Sequence, residues 1–175
     1  METSRLLIRR FTSDDWKDLF EYLSQDFVVK YEPYDVFTEE SSIQEAVKRS
    51  KDKNFWAVCL KESGKVIGNI YLAARDFDTW ELGYAFNAHY HGKGYATEAA
   101  CAMVDDVFKN HNARRVIAMC NPLNEPSWKL LERLGMRREG HLLQNIYFKK
   151  DASGNPIGSD TYEYGILAKE WVKRY

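Results

Sequence analysis

Apolar positions along the chain recur with a period that changes from segment to segment, and each change marks an element. Leu6 and Ile8 alternate within Ser4 to Arg10 and predict a first strand. Thr12-Ser13-Asp14-Asp15 is a capping sequence, after which Trp16, Leu19, Phe20 and Leu23 fall at i, i+3, i+4 and i+7, the pattern of a helix with one apolar face. Gln25 to Phe37 has no period. It holds Pro33 with Tyr31, Tyr34 and Phe37, and reads as a loop or short helical turn carrying an aromatic cluster. A further helix is expected from Thr38 to about Lys51, with Ile43, Ala46 and Val47 inward.

Three strand-like runs follow, at Phe55 to Leu60, Val66 to Leu72 and Thr79 to Phe86. The Ser63-Gly64 turn and the polar Arg75 to Asp78 break that separate them are short, so an antiparallel meander is expected. Beyond it helix and strand alternate. Thr97 to Lys109 places Ala100, Met103, Val104, Val107 and Phe108 on one stripe, and Arg115 to Cys120 is a short apolar strand. Pro126 to Leu134 is a helix with Pro126 in its first turn, Leu130, Leu131 and Leu134 inward, and Gly135 as its stop. Leu142 to Lys149 and Tyr162 to Ala168 are the last two strands, joined across the turn-rich Asp151 to Gly158. No repeat, linker or low-complexity run interrupts the series, so residues 1–175 are expected to form one domain, a mixed α/β sheet with helices packed on it.

Composition narrows the function classes. The 175 residues carry 25 Lys+Arg against 26 Asp+Glu, a net charge of −1 that lacks the broad positive field of a general nucleic-acid binder. With 45% hydrophobic and 14% aromatic residues, the chain has the material for a core without staples. No run approaches the roughly 18 apolar residues of a membrane span, and Met1 to Arg10 lacks the apolar stretch of a signal peptide; a cytoplasmic protein with no membrane partner is expected. Cys59, Cys101 and Cys120 form no CxxC pair and sit among apolar neighbours, while His89, His91, His111 and His141 show no ligand spacing, so no metal is expected.

Chemistry concentrates in Trp80 to Glu98. A strand ends near Phe86, a short loop supplies Gly92 and Gly94, and a striped helix begins at about Tyr95. A strand, a glycine loop and a helix N-terminus make an anion site, because successive N–H groups point outward unpaired and the missing Cβ atoms let phosphate oxygens approach. Two phosphate-loop classes do not fit. The Walker loop needs a Lys-Ser/Thr pair at the helix start, whereas Lys93 lies between the glycines. A Rossmann fingerprint needs a third glycine where Thr97 stands and a carboxylate about 20 positions on.

His91-Gly92-Lys93-Gly94-Tyr95-Ala96 is similar to the Q/R-x-x-G-x-G/A acetyl-CoA pyrophosphate loop of the GNAT N-acetyltransferase superfamily, with His91 replacing the usual Gln or Arg. Ser4 to Phe11, Glu81 to Phe86, Gly92 to Ala99, Asn121 to Ser127 and Leu131 to Met136 occur in the order and spacing of its RimJ/RimL-like branch, so the resemblance covers nearly the whole chain. It implies a mostly antiparallel twisted sheet of about seven strands with a splayed central pair, flanked by about four helices. It also implies an acetyl-CoA-dependent N-acetyltransferase that acts by direct attack of a primary amine, on a protein N-terminus or a small molecule, in a ternary complex.

Site residues follow from the resemblance position by position. Main chain at Ala85, Phe86 and Asn87 would pair with the pantetheine arm. His91, Gly92, Lys93, Gly94, Tyr95, Ala96 and Thr97 would hold the pyrophosphate. Asn124 would hydrogen-bond the arm, Ser127 would lie near the thioester sulfur, and Trp128 would border the cofactor. Direct attack by an amine needs a route for its proton and a donor for the leaving thiolate. Glu81 is the candidate base, through water, and Ser127 the candidate donor; a solvated strand carboxylate and a helix cap are the plain alternatives. Tyr31, Tyr34 and Phe37 would wall the acceptor side, where a π face suits an ammonium, or else close the edge of the core. The acidic residue that RimL-like enzymes carry on the strand after the last helix has no counterpart in Gln144-Asn145-Ile146, so ribosomal-protein acceptors do not carry over. A non-catalytic acyl-CoA-binding sensor is the alternative function, and a homodimer is left open.

Overall fold

A computed structural model describes residues 1–171 of the chain. In order it contains β1 (Leu6–Arg9), α1 (Trp16–Leu23), α2 (Asp26–Val29), α3 (Glu39–Lys51), β2 (Phe55–Leu60), β3 (Val66–Arg75) and β4 (Thr79–Phe86). After these come α4 (Tyr95–Asn110), β5 (Arg115–Cys120), α5 (Glu125–Arg133), β6 (Arg137–Lys150) and β7 (Pro156–Leu167). The strands form one sheet in the order β1-β2-β3-β4-β5-β7-β6, antiparallel throughout except where β4 lies parallel to β5. A single parallel pair in a meander requires a crossover, and α4 supplies it.

Strand alternation sorts the core onto the two faces of the sheet. Leu6, Ile8, Val58, Ile70, Leu82, Phe86 and Val116 meet the stripe of α4 and the leucines of α5. Ala57, Cys59, Val66 and Ala85 point the other way and are covered by Leu19, Tyr22 and Leu23 of α1 and by Ala46 of α3. The helix predicted at 97–109 begins two residues earlier, because Gly94 at φ 81 serves as its N-cap.

Five helices stand among the described residues, and the shortest, Asp26–Val29, is the helical turn offered as one reading of the aperiodic 25–37 segment. Two expectations are corrected. The last two strands are far longer than 142–149 and 162–168. β6 is an edge strand exposed along most of its length, so little of it carries the alternation that would announce a strand. Its register with β7 also shifts three times. The second correction concerns α3. Ile43 and Val47 are 43% and 38% exposed, and the inward face is instead Ser42, Ala46 and Arg49, the last 2% exposed. A buried guanidinium needs partners on every side. Arg49 finds Glu45 at 2.8 Å, Asn69 Oδ1 at 2.9 Å and the Tyr22 hydroxyl at 3.4 Å, and lies over the Phe55 ring. Among the described residues no helix is long and apolar enough to cross a membrane.

Close approach of β3 to β4 depends on Gly68. A Cβ built there would lie 2.5 Å from Phe86 Cδ1 and 2.6 Å from the Ala85 carbonyl oxygen, and the second of these is backbone. Gly68→Ala is therefore expected to destabilise the fold by about 1–3 kcal/mol. An unchanged urea midpoint would show that β4 can move away freely.

Candidate active site

β4 and β5 pair only from Thr79↔Arg115 to Leu82↔Ala118, although β4 continues to Phe86 and β5 to Cys120. Past that point the two strands part, and one edge of Gly83 to Phe86 faces no neighbouring strand. The gap opens into a cleft of about 1640 Å³ lined by Glu81 to Phe86, by Ala118 to Asn121, by the N-terminal segment Glu2 to Arg5, by the loop and first turn of α4, and by the β6–β7 hairpin. Unpaired backbone in a cleft is a hydrogen-bonding template for an extended ligand.

At one end lies the glycine loop. Gly92 and Gly94 adopt φ 74 and 81, which let the chain turn from β4 into α4, and a Cβ at Gly92 would meet nothing within 4 Å. The N–H groups of Tyr95, Ala96 and Thr97 precede the first intrahelical bond, from Glu98 N to Gly94 O, and are directed out of the helix start. The N-terminal segment holds this loop in place. Glu98 accepts from Thr3 Oγ1 at 2.6 Å, from Arg5 N at 3.0 Å and from Arg5 Nε at 2.7 Å, while Arg5 Nη1 donates to the Lys93 carbonyl at 2.9 Å. The guanidinium also covers the Tyr95 ring at 4.4 Å. Burial opposes ionisation of Glu98, but the bonds from Thr3 and Arg5 outweigh it and hold the carboxyl below its ordinary 4.5.

Where the strands part, side chains from both faces of β4 reach the cleft. Leu82 and Phe86 enter the core beside α4, so Glu81 points to the opposite face, as its candidacy as a base requires. Its Oε2 accepts from Arg75 Nε at 2.7 Å and pairs with Nη2, also at 2.7 Å. Tyr84 lies on the Leu82 face, and its hydroxyl sits 2.9 Å from the Ser127 carbonyl oxygen, to which it donates, and 3.1 Å from Ser127 Oγ. Burial raises the Tyr84 phenol well above its usual value despite the Ser127 hydrogen bond, so it stays protonated at neutral pH. Burial likewise pushes the Cys120 thiol, which borders the cleft, up to about 11.

Several expected residues do line the cleft together: Ala85, Phe86, His91, Gly92, Gly94, Tyr95, Ala96, Thr97, Asn124, Ser127, Glu81 and Tyr31. Others are employed elsewhere. Asn87 is fully buried; its N–H donates to Ile67 O, and its side chain bonds Glu21 and Gln25 to tie β4 to α1. Phe86 O accepts from a ring nitrogen of His91 at 2.9 Å, so His91 braces the loop against the strand end. Unpaired main chain is thereby confined to the stretch before Asn87. The Lys93 side chain and Trp128 do not border the cleft, and the Trp128 indole N–H donates to Pro122 O at 3.3 Å. Tyr34 and Phe37 are also outside it, stacked edge-on at 5.3 Å against the second core, which is the plain reading of those rings. Sequence reasoning missed Arg5, Tyr84 and Glu32, all of which line the cleft. Tyr84 had a signal, since it alternates with Glu81 across β4, whereas Arg5 and Glu32 meet the site only through the tertiary fold.

A parted strand pair beside a glycine-turned helix N-terminus fits a ligand with an extended amide arm and a phosphate group, and defines an acyl-CoA-dependent transferase site. The chain belongs to the GNAT acetyltransferase family, whose domain model matches residues 5–137. It is 41% identical over 172 residues to the N-acetyltransferase YnaD of Bacillus subtilis, covering 97% of both chains. It is 31% identical to the N-acetyltransferase p20 of Bacillus licheniformis, again over 97% of each. A crystal structure of a GNAT-family acetyltransferase from Bacillus anthracis superposes with a TM-score of 0.89 at 38% identity, covering 97% of this chain and 99% of that one. The protein is thus an acyltransferase, and members of its family use acetyl-CoA.

Arg5→Ala frees the glycine loop from the N-terminal segment and is expected to weaken acetyl-CoA binding by about three- to tenfold, the value of a partly exposed ion pair with supporting hydrogen bonds. Because the Glu98 pKa is depressed, its stabilisation is complete above the ordinary value of 4.5 and fades as pH falls through the lower folded value. Calorimetry on wild type and R5A across that acid range checks both statements; equal affinities at neutral pH would rule out the clamp.

Proposed function

We propose that the protein acetylates a primary amine by direct attack on acetyl-CoA within a ternary complex, and that it lies in the RimJ/RimL-like branch. The observation that carries this reading is the pairing of Glu81 and Tyr84 on opposite faces of β4 at the point where β4 and β5 part. Acetyl-CoA supplies the thioester carbonyl. The chain's own residues supply proton transfer, orientation and the backbone cradle.

The main chain of Gly83 to Phe86 and Asn124 would receive the pantetheine arm, while the loop from Gly92 and the first N–H groups of α4 would receive the pyrophosphate. Glu81 takes the proton of the acceptor ammonium through water. Arg75 occupies Oε2 and leaves Oε1 for that water. The neutral amine forms the C–N bond as the C–S bond breaks. Tyr84 turns its O–H from the Ser127 carbonyl oxygen to the departing thiolate while the Ser127 hydroxyl holds the phenol oxygen, gives up that proton, and regains one from the acetylated nitrogen. Ser127 is then a positioning residue whose N–H also closes the first turn of α5 on Asn124 O at 3.0 Å. Cys120, held as a neutral thiol, is not poised to form an acyl-enzyme, which supports direct transfer.

Glu81→Gln is expected to lower kcat by about 10²-fold or more with little change in acetyl-CoA affinity. Tyr84→Phe is expected to lower kcat by a similar factor, and Ser127→Ala by less, because Ser127 acts through Tyr84. Thiol release on addition of amines reads all three. Full activity in E81Q would remove the base assignment, and burst kinetics would remove direct attack. Tight acetyl-CoA binding without turnover of any amine would favour the sensor reading.

A further inference from the structure

The end of the cleft away from the glycine loop has a chemistry of its own. Tyr31 Oη donates to Leu123 O at 3.2 Å, and Lys149 pairs with Asp35 at 3.2 Å, so the loop after α2 is tied both to the segment before α5 and to the β6–β7 hairpin. Together they enclose a space lined by Val28, Tyr31, Pro33, Ile146, Phe148 and Ile157. Glu32 is half-buried among these apolar walls.

From the position of Glu32 among these apolar walls we infer that Glu32 forms the polar end of the acceptor pocket, and that the acceptor is a primary monoamine carrying a compact apolar or aromatic body. The inference rests on the acetyl-transfer reading above and names the substrate class of that same site. Glu32 receives the ammonium before Glu81 removes its proton; it is a binding group, not the base.

The surroundings of Glu32 suit that role. The Arg49 guanidinium on α3 and the Tyr34 hydroxyl on the same loop both favour its ionised form. Burial pushes the Glu32 carboxyl up to about 6 against the pull of Arg49 and Tyr34. An arriving ammonium restores the charge balance and holds the carboxylate ionised. Lys30 and the Lys149–Asp35 pair are the other charged groups at this end, Tyr31 is a further titratable one, and Glu81 stands at the strand gap. The apolar lining favours a hydrophobic body over a polyamine chain, whose further ammonium groups would lose hydration against it.

The test compares phenethylamine, tryptamine, spermidine and an alanine-initiated tripeptide as acceptors, with benzhydrazide as a nucleophile that is neutral at ordinary pH. The arylalkylamines are expected to be preferred. Glu32→Gln should raise their KM by about tenfold or more with kcat and acetyl-CoA affinity little changed, and should leave benzhydrazide within about twofold. In wild type the acceptor KM should fall as pH rises through about 6, and this dependence should vanish in E32Q and return in Glu32→Asp. Equal losses for the charged and neutral nucleophiles, an unchanged KM, or a preference for spermidine or the peptide would overturn the inference. So would a wild-type protein that binds acetyl-CoA and turns over none of these amines, whereas failure to bind acetyl-CoA would overturn the functional reading itself.

Discussion

Everything at the site follows from a ladder that stops. β4 and β5 exchange hydrogen bonds over the positions from Thr79 to Leu82 and then separate, leaving backbone donors and acceptors of Gly83 to Phe86 exposed inside the molecule. Two free strand edges in a sheet tend to close, so the gap persists only if both sides are held from outside. Phe86 is anchored beside Gly68, Asn87 bonds Ile67 O and the α1 residues, and His91 takes the Phe86 carbonyl. On the other flank Asn121 Nδ2 donates to Ser159 Oγ, and Tyr84 bridges from β4 to Ser127 at the start of α5. The same contacts that prop the gap open bring the reacting side chains to it.

Charge is handled locally rather than by the net balance of the chain. With a formal charge of −1, the protein offers no general attraction for phosphates, yet the α4 start presents free N–H groups and the Arg5 guanidinium sits at the loop. Glu98, a carboxylate in the first turn of that helix, would oppose an incoming anion if it were unpaired. Thr3 and Arg5 engage it instead, turning a liability into the fastening of the loop.

Arg49 does comparable work at the other end of the cleft. Buried in the second core, it ties α3 to Tyr22 of α1 and Asn69 of β3, and it extends its charge toward Glu32 and Tyr34. Removing one partner from a buried set of this kind leaves an uncompensated charge, which couples the scaffold to the cleft wall at Glu32. The glycine loop and the loop after α2 are therefore each braced by an arginine from a segment distant in sequence.

Local periodicity along the chain was enough to place seven strands and four of the five helices, because each is built from an alternating or striped run whose apolar side must be buried. The glycine loop was legible too, since Gly92 and Gly94 follow a strand and precede a helix, and the family pattern pointed to Glu81 and Ser127, both of which line the cleft. What the chain alone did not reveal depends on contacts between distant segments. The full length of the exposed edge strand β6 is one such case, because most of it has no buried face to set a period. Arg49 looks like a surface residue until Glu45, Asn69 and Tyr22 surround it, which is why Ile43 and Val47 were assigned its place. Tyr34 and Phe37 sit against the core, whereas Glu32, one residue from Tyr31, enters the cleft. Hydrophobic period is a local property that a sequence displays directly; satisfying a buried charge or an unpaired strand edge is a three-dimensional requirement that only the assembled fold can meet.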